Sequence, residues 1–204
     1  MTIACSGMPG YRVNQYRLIM LPQESMAQKI LQLRRAAASY FPEAKVLMNR
    51  PYIGLADFMQ YEMMEERLQY RLRCIAMEQH AFRLRIQGWE LTAQQSLTLH
   101  LPDAEPIMQL VAQIRFEARR LMKLNDQVKP HFAQRPSLPI IHQIPEQLLG
   151  AVEKRYARKK IEGSLTADAM LLLKRPQTGG AWQIAARYDF MNMQVLPKQG
   201  LLFA

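Results

Sequence analysis

The sequence is poor in the residues that staple or ligate. It has two cysteines and four histidines in 204 residues. Cys5 and Cys74 offer no disulfide framework, and the scattered histidines have none of the short spacings of a zinc site. No structural metal and no cofactor are therefore expected. Long apolar runs are also missing: nothing approaches the roughly 18 residues that a membrane span needs. The opening Met1–Gly10 lacks a basic start and an apolar stretch of leader length before Pro9 and Gly10. A cytoplasmic protein without a membrane partner is expected. Acidic residues are the scarcer charge, 17 against 27 basic, for a formal net charge of +10. That surplus concerns the long-range field and favours a phosphate-bearing or polyanionic partner. It says nothing about fold.

What is present reads as alternating strands and helices. Tyr16–Leu21 has the pattern of a first strand, ended by Pro22. Met26, Ile30, Leu33 and Ala37 then fall at helical spacing, and Pro42 closes that helix. Lys45–Met48 leading into Pro51–Leu55 reads as the next strand or strand pair. Met64, Leu68, Leu72 and Ile75 mark a helix over 61–79, and Phe82–Ile86 alternates as a strand. The second half repeats the order. Ser96–Leu101 is a strand, and Ile107, Leu110, Val111, Ile114, Ala118 and Leu121 mark a helix over 103–124. A polar loop, 125–135, leads to Pro136–Ile141. Pro145 is placed to open a helix carrying Leu148, Leu149, Val152 and Tyr156 inward. Strands over 164–174 and 182–190 follow, separated by the Gly179-Gly180 turn signal. The 14 methionines read as core packing, with an adaptable binding surface as the lesser alternative.

At the third element of each half the strand is introduced by the same dipeptide: Arg50-Pro51 before Tyr52-Ile53-Gly54-Leu55, and Arg135-Pro136 before Ser137-Leu138-Pro139-Ile140. Here the chain resembles the two-histidine phosphoesterases, the 2′-5′ RNA ligase-like and cyclic phosphodiesterase-like proteins, which carry Pro-His-apolar-Thr/Ser-apolar twice. The opening strand, the strand at Ser96–Leu101 and the closing hairpin Ala167–Arg175 with Gly180-Ala181-Trp182 are similar as well. The resemblance implies an α+β fold of two pseudo-symmetric lobes of antiparallel sheet, with helices packed outside and a central cleft. It would span 16–190 as one two-lobed domain, with halves of about 16–90 and 96–190, an N-terminal extension over 1–15 and a tail over 191–204.

In that family one histidine is the general base and the other the general acid, while the hydroxyl residues two positions on hold phosphoryl oxygens. Spacing by two puts each pair on one strand face. Carried over, the histidine positions hold Tyr52 and Ser137 and the hydroxyl positions hold Gly54 and Pro139. A phenol that stays protonated at neutral pH and a serine without a nearby base are poor proton shuttles. Glycine has no side-chain donor, and proline lacks even its backbone N–H. No catalytic residue is therefore assigned. Ligand contacts are expected from Arg50, Tyr52, His131, Arg135 and Ser137, the two arginines standing two residues before the motif positions where they either line a basic cleft or remain solvated flanks. His142 lies close to the second motif, but positions 137, 139 and 141 share a face, so it should point away unless a bulge intervenes. His80 and His100 read as structural. The run Lys154, Arg155, Arg158, Lys159 and Lys160 reads as an exposed helix face, with RNA contact as the sharper alternative.

Three functions are compatible: a non-catalytic protein binding a nucleotide, an RNA end or another phosphorylated ligand between the lobes; an active phosphoesterase on 2′,3′-cyclic or 2′-5′ linkages with a rewired site using Tyr52, His131 or His142; and a structural or interaction module with the cleft filled by side chains such as Tyr52.

Overall fold

The computed structural model describes residues 10–157 and 159–193. Cys5, Arg158 and most of the tail lie outside the described residues. Among those described, the elements in chain order are β1 (Val13–Met20), α1 (Glu24–Tyr40), β2 (Ile53–Tyr61), a 3₁₀ turn (Glu62–Met64), α2 (Glu65–Glu78), β3 (Phe82–Gln87), β4 (Trp89–Thr92), β5 (Ser96–Leu99), α3 (Glu105–Met122), β6 (His131–Phe132), β7 (Leu138–Ile141), α4 (Glu146–Tyr156), β8 (Glu162–Ala167), β9 (Ala169–Pro176) and β10 (Gln183–Asp189).

The fold is α+β, with all strand pairs antiparallel. One sheet runs β10-β9-β1-β2-β6. The other lobe combines the β4-β5-β7 sheet with the β3-β8 pair; Gln87 N–H donates to the His100 carbonyl and His100 N–H to that of Gly88, joining the two at a corner. Each lobe thus draws strands from both halves of the chain. The helices cross over too. Although α1 follows β1, it packs on β7 and β8, whereas α3 follows β5 and packs on α2 and β2. Such exchange makes the two lobes share one continuous core that includes Leu18, Ile30, Leu72, Ile114, Leu138, Val152 and Leu172. Burying each such side chain contributes about 1.5–3 kcal/mol.

The helix patterns are met where the apolar spacing is regular. Met26, Ile30 and Ala37 of α1 are buried, as are the α3 positions 107, 110, 111, 114 and 118. Val152 and Tyr156 of α4 are buried, with Leu148 and Leu149 packed at the core's edge. Several boundaries differ from expectation. Residues 45–48 form no strand but a single bridge, Lys45 to His142. Strand β2 starts only at Ile53 and runs through Tyr61, so α2 begins four residues later than its apolar spacing suggests. The stretch 164–174 is two strands in different lobes, β8 and β9, divided at Asp168. Gly179 and Gly180, both at positive φ, turn β9 into β10 as the dipeptide predicts.

The helix-facing side of the five-stranded sheet is anchored by polar contacts as well as apolar ones. Tyr16 stacks on Phe58 at 5.2 Å and donates to Glu65 Oε2 at 2.9 Å, and Lys174 Nζ reaches the same carboxylate at 3.0 Å. Burial pushes the Tyr16 phenol well above its ordinary ionisation range. The opposite face of this sheet is left for the cleft.

Candidate functional site

Both motif strands break register at the same place. In the first lobe Gly54 lies opposite Ile19 and Ala56 opposite Leu18, leaving Leu55 as the extra residue. In the second, Pro139 lies opposite Thr98 and Ile141 opposite Leu97, leaving Ile140 extra. A bulge strengthens local twist and re-aims the following side chains. Its recurrence one residue after Gly54 and one after Pro139 makes these two positions structural equivalents, and with them Tyr52 and Ser137, two residues earlier on each segment.

A cavity of about 580 Å³ opens between the lobes. Gly54 and Asp57 of β2 and His131 of β6 wall it from one side; Glu90 and Thr92 of β4, Arg135 and Ser137 wall it from the other. Three of the sequence-predicted ligand residues, His131, Arg135 and Ser137, are therefore brought together with Gly54. The charge there is mixed. Asp57 and Glu90 face it along with Arg135 and His131, and Arg135 Nη1 lies 3.4 Å from Glu90 Oε1. The lining is therefore mixed rather than uniformly basic, and Arg17, Lys129 and Arg175 line a second depression that also has Asp57 in its wall.

Tyr52 and Arg50 do not line that cavity. Arg50 Nη2 instead reaches Glu24 Oε2 at 2.9 Å at the start of α1, where both side chains are exposed. The Tyr52 hydroxyl accepts from Arg17 Nη1 at 2.6 Å, and Arg17 Nε donates to Asp57 Oδ1 at 2.6 Å. The Arg17 guanidinium of β1 therefore ties the Tyr52 hydroxyl to Asp57 of β2. Pro139 is tied down by its carbonyl, which accepts from Arg34 Nε at 3.0 Å and Nη2 at 2.7 Å. The third arm, Nη1, donates to the Asn49 carbonyl at 2.9 Å. Arg34 is only 2% exposed, so one buried guanidinium joins the segment before the first motif to the strand of the second. Its burial lowers its pKa.

His142 is neither a cleft residue nor explained by simple alternation. The bulge at Ile140 breaks the parity on which that reasoning depended, and the residue bridges to Lys45 by backbone, its N–H donating to the Lys45 carbonyl at 2.7 Å. Its imidazole is half-buried, with desolvation first and then the Arg34 and Lys45 charges depressing its pKa. His100 Nδ1 sits 3.5 Å from Glu90 Oε2.

Sequence reasoning missed Arg17, Asp57, Glu90 and Thr92. Asp57 and Arg17 are cross-strand neighbours, a pairing visible only once β1 and β2 are in register. Among the described residues no group of three or more His, Cys, Asp or Glu side chains converges on one point, and no residue set is assigned to a metal or cofactor.

No family model matches this sequence, and no curated protein matches it. Solved structures do match in fold. Escherichia coli LigT complexed with 3′-AMP superposes with a TM-score of 0.59 at 13% identity, over 88% of this chain and 98% of that one. LigT complexed with NADP+ gives 0.56 at 12%, over 88% and 99%. The TT0787 protein of Thermus thermophilus gives 0.60 at 12%, over 88% and 100%. The chain therefore has the two-lobed fold of the two-histidine phosphoesterases over nearly the full length of these structures.

Proposed function

We propose that this chain is a non-catalytic protein of the two-histidine phosphoesterase fold that binds a nucleotide, an RNA end or another phosphorylated ligand in the cavity between its lobes. The observation that carries this reading is the chemistry at the equivalent motif positions. In-line displacement at phosphorus needs a base on the attacking oxygen and an acid on the leaving one, held on opposite sides of the phosphoryl group. Tyr52 and Ser137 supply neither imidazole, and His131 is the one histidine lining the cavity among the described residues. Binding asks less. Ser137, Thr92, Arg135 and His131 provide donors around a space of nucleotide size. LigT, whose fold this chain shares, has been solved with 3′-AMP and with NADP+, which makes nucleotides the first ligands to try.

Calorimetric titration with adenosine 3′-monophosphate at low salt, beside an assay of 2′,3′-cyclic AMP hydrolysis, tests the reading. Saturable binding with no turnover is expected. Absence of binding by mononucleotides and by inorganic phosphate alike would overturn it.

One observation favours an enzymatic alternative. His131 lies directly opposite Asp57 across the β2-β6 pair, both on the cavity wall. If hydrolysis appears and His131→Ala abolishes it, the rewired phosphoesterase is the right reading. The filled-cleft module has less support, because Tyr52 is engaged by Arg17 rather than occupying the cavity.

A further inference from the structure

The cleft-side face of the five-stranded sheet carries a polar row that continues past the cavity. Opposed residues on neighbouring strands share a face, and the register places Arg175 opposite Gln15, Arg17 opposite Asp57, and Asp57 opposite His131. Gln15 and Arg17 are two apart on β1, so all five side chains lie on one face. Asp57 borders both the inter-lobe cavity and a second depression of about 230 Å³ lined by Arg17, Lys129, Arg175 and Trp182 among others. Asp57 is thus a wall common to both spaces.

That second depression is built differently from the first. Trp182 has the Arg175 guanidinium 4.5 Å and the Arg17 guanidinium 4.9 Å from its ring. Arg175 Nε donates to Gln15 Oε1 at 2.7 Å, and among the described residues its two terminal nitrogens have no partner. A guanidinium fixed at Nε and by an aromatic face, with its fork open, is preorganised for bidentate contact with a phosphate. Lys129 is exposed beside it and is also without a partner among the described residues. Asp57 is the carboxylate in this depression, and Arg17 Nε already engages it. Cations interleaved with an aromatic ring along a groove suit a single-stranded nucleic acid, whose phosphates meet the charges while a base meets the ring. With strands about 4.8 Å apart, Arg175 lies about 10 Å along the sheet from the β2 wall of the cavity, a separation suited to a neighbouring nucleotide of the same ligand.

We propose that Arg175, Trp182 and Lys129 form a second subsite that holds the adjoining nucleotide of a single-stranded oligonucleotide whose end occupies the inter-lobe cavity. This rests on the cavity being a nucleotide site, and names the ligand as an oligonucleotide rather than a mononucleotide.

The test compares adenosine 3′-monophosphate with the trinucleotide ApApAp by calorimetric titration at several salt concentrations. The trinucleotide is expected to bind at least about tenfold more tightly, as added phosphate contact and stacking dictate, and with steeper salt dependence. Arg175→Ala combined with Lys129→Ala should bring the two ligands to within about twofold of each other while leaving the mononucleotide's affinity unchanged. Trp182→Phe, which keeps an aromatic face, should retain most of the gain that Trp182→Ala loses, with melting temperatures checking that each variant folds. If the mononucleotide binds but the trinucleotide gains nothing, or if the gain survives the double substitution, the second subsite is wrong and the cavity reading stands. If neither ligand binds, both fall.

Discussion

Gly54 and Pro139 occupy the same place in two different sheets: each faces the central strand of its lobe, at Ile19 and Thr98, one residue ahead of the break in register. One offers no side chain and the other no N–H, so the pair cannot supply the hydroxyls that a phosphoryl group would meet there. The register break thus recurs in both sheets, while neither position carries a side-chain hydroxyl.

Restoring those hydroxyls should be structurally cheap. A Cβ added at Gly54 meets nothing within 4 Å, and the Pro139 carbonyl is held independently of its side chain. Gly54→Ser with Pro139→Ser is expected to tighten binding of adenosine 3′-monophosphate by about fivefold or more, the worth of a hydrogen bond or two to a charged group, without producing turnover. Adding Tyr52→His and Ser137→His should then bring measurable hydrolysis of 2′,3′-cyclic AMP. Turnover from the two serines alone would contradict the acid-base argument.

The buried Arg34 makes a second prediction. Removing it leaves the Pro139 and Asn49 carbonyls without the donors that this buried guanidinium supplies. Arg34→Met should destabilise the protein by about 2–4 kcal/mol, as breaking a buried charged network does, read as a lower urea midpoint. Arg34→Lys should recover only part of this, since an ammonium cannot span two carbonyls with a planar fork.

Arg34 also shows why the sequence disclosed some features and hid others. The paired Arg-Pro dipeptides were legible because they are local and repeated, and so were helices with regular apolar stripes such as α3. An arginine in an amphipathic helix reads as solvent-exposed, and only the packing of α1 on β7 buries this one. Strand β6 has two residues and no alternation to detect, yet it delivers His131 to the cavity. Strands β8 and β9 form one apolar-rich run in which Asp168 alone marks the passage between lobes. Long-range pairing decides such cases, and a single strand's pattern does not encode its partner.

His142 predicts a pH dependence. Its folded pKa lies below the ordinary value of 6.5 because burial and two neighbouring cations disfavour the imidazolium. The unfolded chain therefore binds the proton more readily, and stability rises with pH across that window. The favourable state is fully present above about pH 6.5, the unfolded value, and is lost as pH falls through the folded one. Melting temperature measured from pH 7.5 down to about 5.5 should decline more in the natural protein than in His142→Gln. Identical slopes would mean that this imidazole ionises as freely folded as unfolded.

Asp57 tests the electrostatics of the cleft. Its carboxylate borders both ligand spaces and pairs with Arg17, whose Nη1 is in turn engaged with Tyr52. The pair is partly solvent-exposed, with side-chain accessibilities of 28% for Arg17 and 46% for Asp57, so its loss should cost little stability, within about 1 kcal/mol. Its effect on an anion should be larger than its effect on the fold. Asp57→Asn removes a negative charge from the wall and releases a guanidinium toward the ligand, and adenosine 3′-monophosphate should bind several-fold more tightly at low salt, with the advantage shrinking as salt rises. Arg17→Ala should act in the opposite direction on binding. If Asp57→Asn weakens binding instead, the carboxylate is accepting a hydrogen bond from the ligand, and the sugar hydroxyls rather than the phosphate are what lie against β2.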